Sequence, residues 1–114
     1  MESAFTVLAE PRRRAILTLL AAGERSVSDL ESALNLSQPS VSKHLRVLRE
    51  AGFVEATIDA QRRLYRIRPE PLQEVDAWMA PFRRYWEAHM DALERHLDRI
   101  ATPARTKRQS RKQR

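Results

Sequence analysis

The chain contains no cysteine and only two glycines among its 114 residues. Without cysteine it can form no disulfide, no thiolate metal site and no thiol nucleophile. Its longest apolar run, residues 15–22, includes Thr18 and is far shorter than the ~20 residues that a membrane-spanning helix needs. The N-terminus carries Glu2 and Glu10, with no apolar stretch before a small-residue cleavage site. We therefore expect a soluble, cytoplasmic protein without a membrane partner.

Signatures of catalysis are also missing from the sequence. It contains no Gly-rich phosphate loop, no paired-carboxylate motif and no nucleophile–base arrangement, and its three histidines fall in predicted helices. The sequence therefore predicts that the protein is not an enzyme and that it has no catalytic residue and no cofactor.

The charge of the chain is unevenly distributed. Its net charge is +6, and residues 101–114 hold six basic side chains and no acid, so the first 100 residues are formally neutral. Within those, residues 37–69 have seven basic and three acidic side chains, whereas residues 70–100 have four and seven. Such asymmetry is compatible with nucleic-acid binding but is usually just a solvated surface. We expect residues 101–114 to be a disordered basic tail, which either adds phosphate contacts or only improves solubility.

Helical patterns occupy the beginning of the chain. A short helix around residues 5–8 precedes a helix that starts at Pro11 and ends at Gly23. The buried face of this second helix is predicted to contain Ile16, Leu17 and Leu20.

The next two helices are separated by about three residues. The first is capped by Ser26 or Ser28 and ends at Asn35, which suits a left-handed conformation. The second, residues 38–51, is capped by Ser37. Two helices at this spacing predict a helix-turn-helix, and the inward residues of the second helix are Val41, Leu45 and Leu48.

Residues 53–68 change to a strand-like pattern. Residues 53–58 and 64–67 are β-prone and partly alternating, and Asp59-Ala60-Gln61-Arg62 lies between them. We interpret the segment as a two-stranded hairpin, the wing of a winged helix. Because the turn lacks the glycine that a tight hairpin prefers, we expect a longer or mobile loop.

The last long segment carries an apolar stripe. From Leu72 to Ile100 apolar residues recur in steps of three and four, which predicts a helix over about 71–100, kinked or divided in two at Pro81. The winged unit is too small to cover this stripe, so we expect a homodimer interface with the N-terminal helix rather than an intramolecular core. The expected interface residues are Phe5, Leu8, Trp78, Phe82, Trp86, Met90, Leu93 and Leu97.

Three segments resemble, in order and spacing, the ArsR family of dimeric winged helix-turn-helix repressors. They are LAEPRRRAILTLL at 8–20, VSDLESALNLSQPSVSKHLRVLREAGFV at 27–54 and RRLYRI at 62–67. The resemblance implies a mainly α fold with a small β-hairpin and a long C-terminal dimerisation helix within one domain, residues 1–100. It also implies a sequence-specific repressor that binds a palindromic operator in double-stranded DNA through helix 38–51 and wing 53–68. In the family an effector releases the operator; no motif here indicates which effector.

The metal sites of this family have no complete counterpart in the sequence. Metal-sensing relatives carry two cysteines where this chain has Ser26 and Ser28, and serine hydroxyls are poor ligands for soft or borderline metals. A second family site, in the C-terminal helix, keeps Asp76 and His89 but loses two of its four ligands. The resemblance therefore predicts a repressor with no bound metal, and a zinc-responsive repressor that uses Asp76 and His89 of two chains is the alternative.

The helix-turn-helix interpretation indicates which side chains face DNA. Gln38 and Ser40 lie in the first turn of the recognition helix, the part that usually reaches base edges. Lys43 and Arg46 have the reach and chemistry to contact guanine or a phosphate, and Arg49 either contacts a phosphate or pairs with an acidic neighbour. The candidate DNA-binding residues are Gln38, Pro39, Ser40, Ser42, Lys43, Arg46 and Arg49, with Arg62 and Arg63 of the wing tip at the backbone or minor groove. His44, next to the inward face, either braces the helix or touches DNA.

Two other classes of function compete with this one. A non-specific architectural DNA-binding protein would show little preference for a palindrome over random DNA. A winged unit that serves only as a protein-interaction module is disfavoured by the basic residues of the helix and the wing.

Overall fold

The structure is a computed structural model that describes residues 3–101. The elements follow one another as α1 (Ala4–Leu8), α2 (Pro11–Ala21), β1 (Arg25–Ser26), α3 (Val27–Leu34), α4 (Gln38–Glu50), β2 (Val54–Asp59), β3 (Arg62–Ile67) and α5 (Glu70–Ile100). Backbone contacts divide the chain between Ala77 and Trp78 into two compact units. Within residues 3–101, no helix is both long and apolar enough to span a bilayer. The expected class, mainly helical with a small antiparallel sheet and a long C-terminal helix, is confirmed. The basic tail, apart from Ala101, lies outside the described residues.

The predicted helix boundaries are explained by capping. The Ser26 side chain accepts a hydrogen bond from the Asp29 N–H while the Asp29 carboxylate accepts one from the Ser26 N–H, so Ser26 rather than Ser28 caps α3. Asn35 ends α3 in the left-handed conformation with φ 56°. The Ser37 hydroxyl accepts from the Ser40 N–H and starts α4, which ends at Glu50, one residue before the predicted end.

A third strand, β1, was not predicted. It pairs with β3 through Arg25–Tyr65 and Ser26–Leu64, so the sheet order is β1-β3-β2. Two residues are too few to produce an alternating pattern, which is why no local signal indicated this strand. The pairing ties the wing, defined here as β2, β3 and the turn between them, to the start of α3.

The expectation of a longer loop in the wing is wrong, whereas the alternative of a mobile loop stays a prediction. Strand pairing continues to Asp59–Arg62, so only Ala60 and Gln61 form the turn. Ala60 supplies the conformation that glycine would normally provide, with φ 60°. A left-handed alanine costs roughly 1–2 kcal/mol, and the six paired positions of the hairpin offset that cost.

The core of the first unit is formed by all four of its complete helices and by the sheet. The fully buried residues include the predicted Ile16, Val41, Leu45 and Leu48, together with Val7, Leu30, Phe53 and Val54. Leu72 and Val75, in the first turns of α5, pack against this cluster. The core therefore fixes α4 relative to the base of the wing, which positions the candidate interface.

Helix α5 runs through Pro81 without a break, so the alternative of two abutting helices is wrong. From Trp78 onward no described residue is buried. The six stripe residues of this segment expose between 42% and 57% of their surface: Trp78, Phe82, Trp86, Met90, Leu93 and Leu97. The rings of Trp78 and Phe82 pack with centroids 4.8 Å apart. The second unit thus presents an apolar face that one chain does not bury, and the dimer interface stays a prediction.

Candidate nucleic-acid interface

The outer face of α4 carries the candidate residues that the helix pattern predicts. Gln38, Pro39, Lys43, Arg46 and Arg49 are exposed, and Ser40 and Ser42 are half-buried. Their exposure follows from the burial of residues 41, 45 and 48 on the opposite side of the helix.

Gln38 already has an intramolecular partner. Its side-chain Nε2 donates a hydrogen bond to the Ser42 Oγ over 2.9 Å, and the two residues are one helical turn apart along α4. The bond points the amide along the outer face of α4. The Nε2 of Gln38 carries a second N–H donor, so a contact with a base edge through the amide oxygen and nitrogen uses either that second N–H or the one now donated to Ser42.

Basic residues of the helix and the wing meet at one cleft. A cleft of about 230 Å³ is lined by Arg46 and Arg49 of α4 and by Arg63 of β3, with Ser42, Leu45 and Tyr65 completing its walls. Three arginines from two elements therefore face the same opening. Ile58, the strand partner of Arg63, is 72% exposed and adds an apolar surface near the wing tip.

Carboxylate partners separate the basic residues into two groups. In the wing, Arg66 Nε lies 2.6 Å from Glu55 Oε2, and at the wing's end Arg68 Nε lies 3.5 Å from Glu70 Oε1. Within the described part of the chain no ion pair involves the basic residues that face the cleft and the outer face of α4: Lys43, Arg46, Arg49 and Arg63. The pairing of Arg49 with an acidic neighbour is therefore not observed.

Arg62 differs from these residues because it is ion-paired. Its Nη2 lies 3.5 Å from the Asp29 Oδ2 at the start of α3. Hydrogen bonds from the Ser26 backbone and side chain, and then the nearby charge of Arg62, lower the pKa of the Asp29 carboxyl below its ordinary value. This contact lies at a second, open cleft of about 630 Å³ between the start of α3, Gln38 and the wing, which Ser28, Glu31 and Arg63 also line. No pattern in the sequence indicated the ion pair of Asp29, because its partner Arg62 lies 33 residues further along the chain.

His44 points into the protein rather than toward solvent. Its side chain is 6% exposed, and its Nδ1 has no hydrogen-bond partner among the described residues. Burial lowers the pKa of His44, while the charge of Glu10 acts in the opposite direction. His44 therefore braces α4 against the core, which decides between its two predicted roles.

The described residues contain no group of three or more histidine, aspartate or glutamate side chains placed to hold a metal ion. Ser26 is half of the capping box and is buried, so its hydroxyl is occupied with the start of α3.

Comparison with known proteins agrees with this arrangement of helix, turn, helix and wing. The family model described as bacterial regulatory protein, arsR family, matches residues 10–56, from the cap of α2 into β2. The transcriptional repressor SdpR of Bacillus subtilis (strain 168) is 33% identical over 82 residues, which cover 72% of this chain and 91% of SdpR. The chain belongs to the ArsR family.

Solved structures of ArsR-family members share the fold. The crystal structure of one ArsR-family transcriptional regulator is 34% identical, with a TM-score of 0.62 over 74% of this chain and 87% of that one. The homodimeric winged helix-turn-helix DNA-binding domain of a possible ArsR-family regulator from Mycobacterium bovis is 33% identical. It has a TM-score of 0.59 over 71% of this chain and 75% of that one. These relatives are regulators, and the winged helix-turn-helix fold is confirmed.

Proposed function

We propose that this ArsR-family chain is a homodimeric transcriptional repressor that binds a palindromic operator through α4 and the wing and does not respond to metal ions. The observation that carries the proposal is the set of basic residues without carboxylate partners on those two elements. Basic side chains that no carboxylate neutralises attract a polyanion such as DNA and can contact its phosphates. The repressor SdpR, which aligns over most of its length, supports the same function.

The proposed contacts follow from position along α4. Gln38 and Ser40, in the first turn, read base edges, with Pro39 and Ser42 beside them in the major groove. Lys43 and Arg46 contact guanine or a phosphate one turn further along. Arg49 contacts the backbone, and Arg62 and Arg63 contact the backbone or the minor groove at the edge of the site.

Dimerisation follows from the exposed stripe of α5. Large apolar side chains recur on one face from Trp78 to Leu97, and a second copy of the same face covers them. Phe5 and Leu8 of α1 join this interface, in which Leu8 also packs on the core of its own chain. The homodimeric domain from Mycobacterium bovis supports this assembly. Two recognition helices then bind half-sites about one helical turn, ~34 Å, apart.

The lack of a metal response is argued from ligand chemistry. Serine replaces cysteine at both thiolate positions, and one of the two serines is committed to capping α3. A zinc response would therefore depend on Asp76 and His89 of two chains.

A titration of the full chain tests the proposal. The purified protein is titrated against the DNA upstream of its own gene and against a random duplex of equal length, with and without zinc. We expect tighter binding to the upstream DNA, protection of a palindrome in footprinting, and no effect of zinc. Equal affinity for both duplexes would indicate an architectural protein, and binding to neither would indicate a protein-interaction module. Release by zinc would show that the Asp76 and His89 site works.

A further inference from the structure

Asp29 is outside the proposed DNA contacts, yet it connects the start of α3 to the wing. Its Oδ2 accepts a hydrogen bond of 3.1 Å from the Ser26 N–H, which completes the capping box of α3. The same oxygen lies 3.5 Å from the Nη2 of Arg62, at the tip end of β3. One carboxylate oxygen therefore serves both the start of a helix and the wing.

The position of this contact along β3 gives it a mechanical role. Strand β1 supports β3 only at Tyr65 and Leu64. Arg62 and Arg63 lie nearer the tip, where the strand ladder joins β3 to β2 alone. The pairing of β1 with β3 ends at Leu64, and the ion pair with Asp29 holds β3 to the helix-turn-helix two residues nearer the wing tip, at Arg62.

The ion pair of Asp29 and Arg62 costs less side-chain ordering than a typical exposed ion pair. Such pairs are weak because water and salt screen them and because two flexible side chains must both be ordered. The capping box has already fixed the carboxylate of Asp29, so forming the pair mainly orders Arg62. A guanidinium has five N–H donors, and one engaged with Asp29 leaves others for a phosphate.

We propose that Asp29 is a positioning residue for DNA binding: it orients the Arg62 guanidinium toward the DNA backbone and holds the wing tip against α3. This inference rests on the proposed function, because it concerns how the wing meets DNA. The competing role of Asp29 is simple repulsion, since a carboxylate near the DNA weakens binding whatever it contacts.

Glu31 is the matched control that separates positioning from repulsion. It lines the same cleft as Asp29 and Arg62 and carries the same charge, and among the described residues it has no ion pair. Glu31→Gln therefore removes a negative charge from the cleft and leaves the Arg62 contact intact. Asp29→Asn removes the charge and the ion pair but keeps an oxygen that accepts from Ser26.

The experiment measures the affinity of full-length variants for the upstream duplex that the wild type prefers. We expect Glu31→Gln to bind as tightly as the wild type or more tightly. We expect Asp29→Asn to bind about two- to thirtyfold more weakly, because each of the dimer's two wings loses an exposed ion pair worth about 1.4- to fivefold. In an Arg62→Gln background the weakening caused by Asp29→Asn should disappear. Arg62→Gln should also lower the slope of log affinity against log salt by ~0.9 for each phosphate that Arg62 binds.

Arg62→Lys extends the test should Asp29→Asn fail to fold. Lysine keeps the charge but has no planar fork with which to join a carboxylate to a phosphate. We expect it to bind more weakly than the wild type. Wild-type affinity for Arg62→Lys, equal affinities for Asp29→Asn and Glu31→Gln, or a weakening that persists without Arg62 would each overturn the inference. A wild type with no preference for the upstream duplex would instead overturn the proposed function.

Discussion

Arg63 and Arg66 allow a direct test of the division between paired and unpaired cations. Both lie on β3, three residues apart, and both are exposed. Arg66 is bound to Glu55 at 2.6 Å, whereas Arg63 has no carboxylate partner within residues 3–101 and lines the cleft beside α4. If basic residues without carboxylate partners bind phosphates, Arg63→Gln should release fewer counterions than the wild type when it binds DNA. Arg66→Gln should release nearly as many counterions as the wild type.

The size of the effect can be worked out. Each phosphate contact contributes ~0.9 to the slope of log affinity against log salt, so a dimer in which neither Arg63 binds a phosphate has a slope lower by ~1.8. Between 50 and 200 mM salt, a slope difference of ~1.8 means that the affinity of the wild type falls by about tenfold more than that of Arg63→Gln.

The assay is a fluorescence-anisotropy titration of the upstream duplex at four or more salt concentrations. Thermal melts of each variant confirm that it is folded. Equal slopes for the wild type and Arg63→Gln would refute the reasoning, as would an equal fall in slope for Arg66→Gln.

Three further predictions concern stability and assembly. Burial holds the pKa of His44 below its ordinary 6.5, so the unfolded chain binds the proton more readily. The stabilisation that His44 contributes in its neutral form is complete at a pH above its ordinary pKa and is lost as the pH falls below it. The difference between the melting temperatures at pH 7 and pH 5 should therefore be smaller for His44→Phe than for the wild type. An equal difference in the two proteins would contradict this. Ala60→Gly should stabilise the protein by about 1 kcal/mol in urea unfolding, because it relieves the left-handed conformation of the alanine. Ala56→Gly, in the extended strand β2, should destabilise it. An unchanged unfolding midpoint for Ala60→Gly would contradict the claim that Ala60 is strained. Trp86→Glu should sediment as a monomer at concentrations where the control Tyr85→Glu, which lies off the stripe, remains a dimer. If Trp86→Glu remains a dimer, Trp86 is not part of the interface.

The sequence predicted the helix-turn-helix well because its signals are local. The caps Ser26 and Ser37 and the left-handed Asn35 fix boundaries through hydrogen bonds over three or four residues. The period of buried residues in α4 also fixes which side chains point outward. The strand-like pattern of residues 53–68 predicted the wing, and the family resemblance agreed with the order of the elements.

The features that the sequence did not predict depend on distant parts of the chain. Strand β1 exists only because β3, about 40 residues later, pairs with it. The tight turn at Ala60 is imposed by the strands on either side of it. The ion pair of Asp29 likewise requires the packed fold, and so does the choice between the two predicted roles of His44.

Ser26 is at once the last residue of β1 and the cap of α3, so no linker separates the strand from the helix. One inserted residue at this junction would shift the strand register and move side chains to the opposite face. It would also detach the cap from the helix. Among homologous sequences, changes of length should therefore be absent between β1 and α3 and collect at the turn of residues 60–61, where extra residues disturb neither the sheet nor the recognition helix.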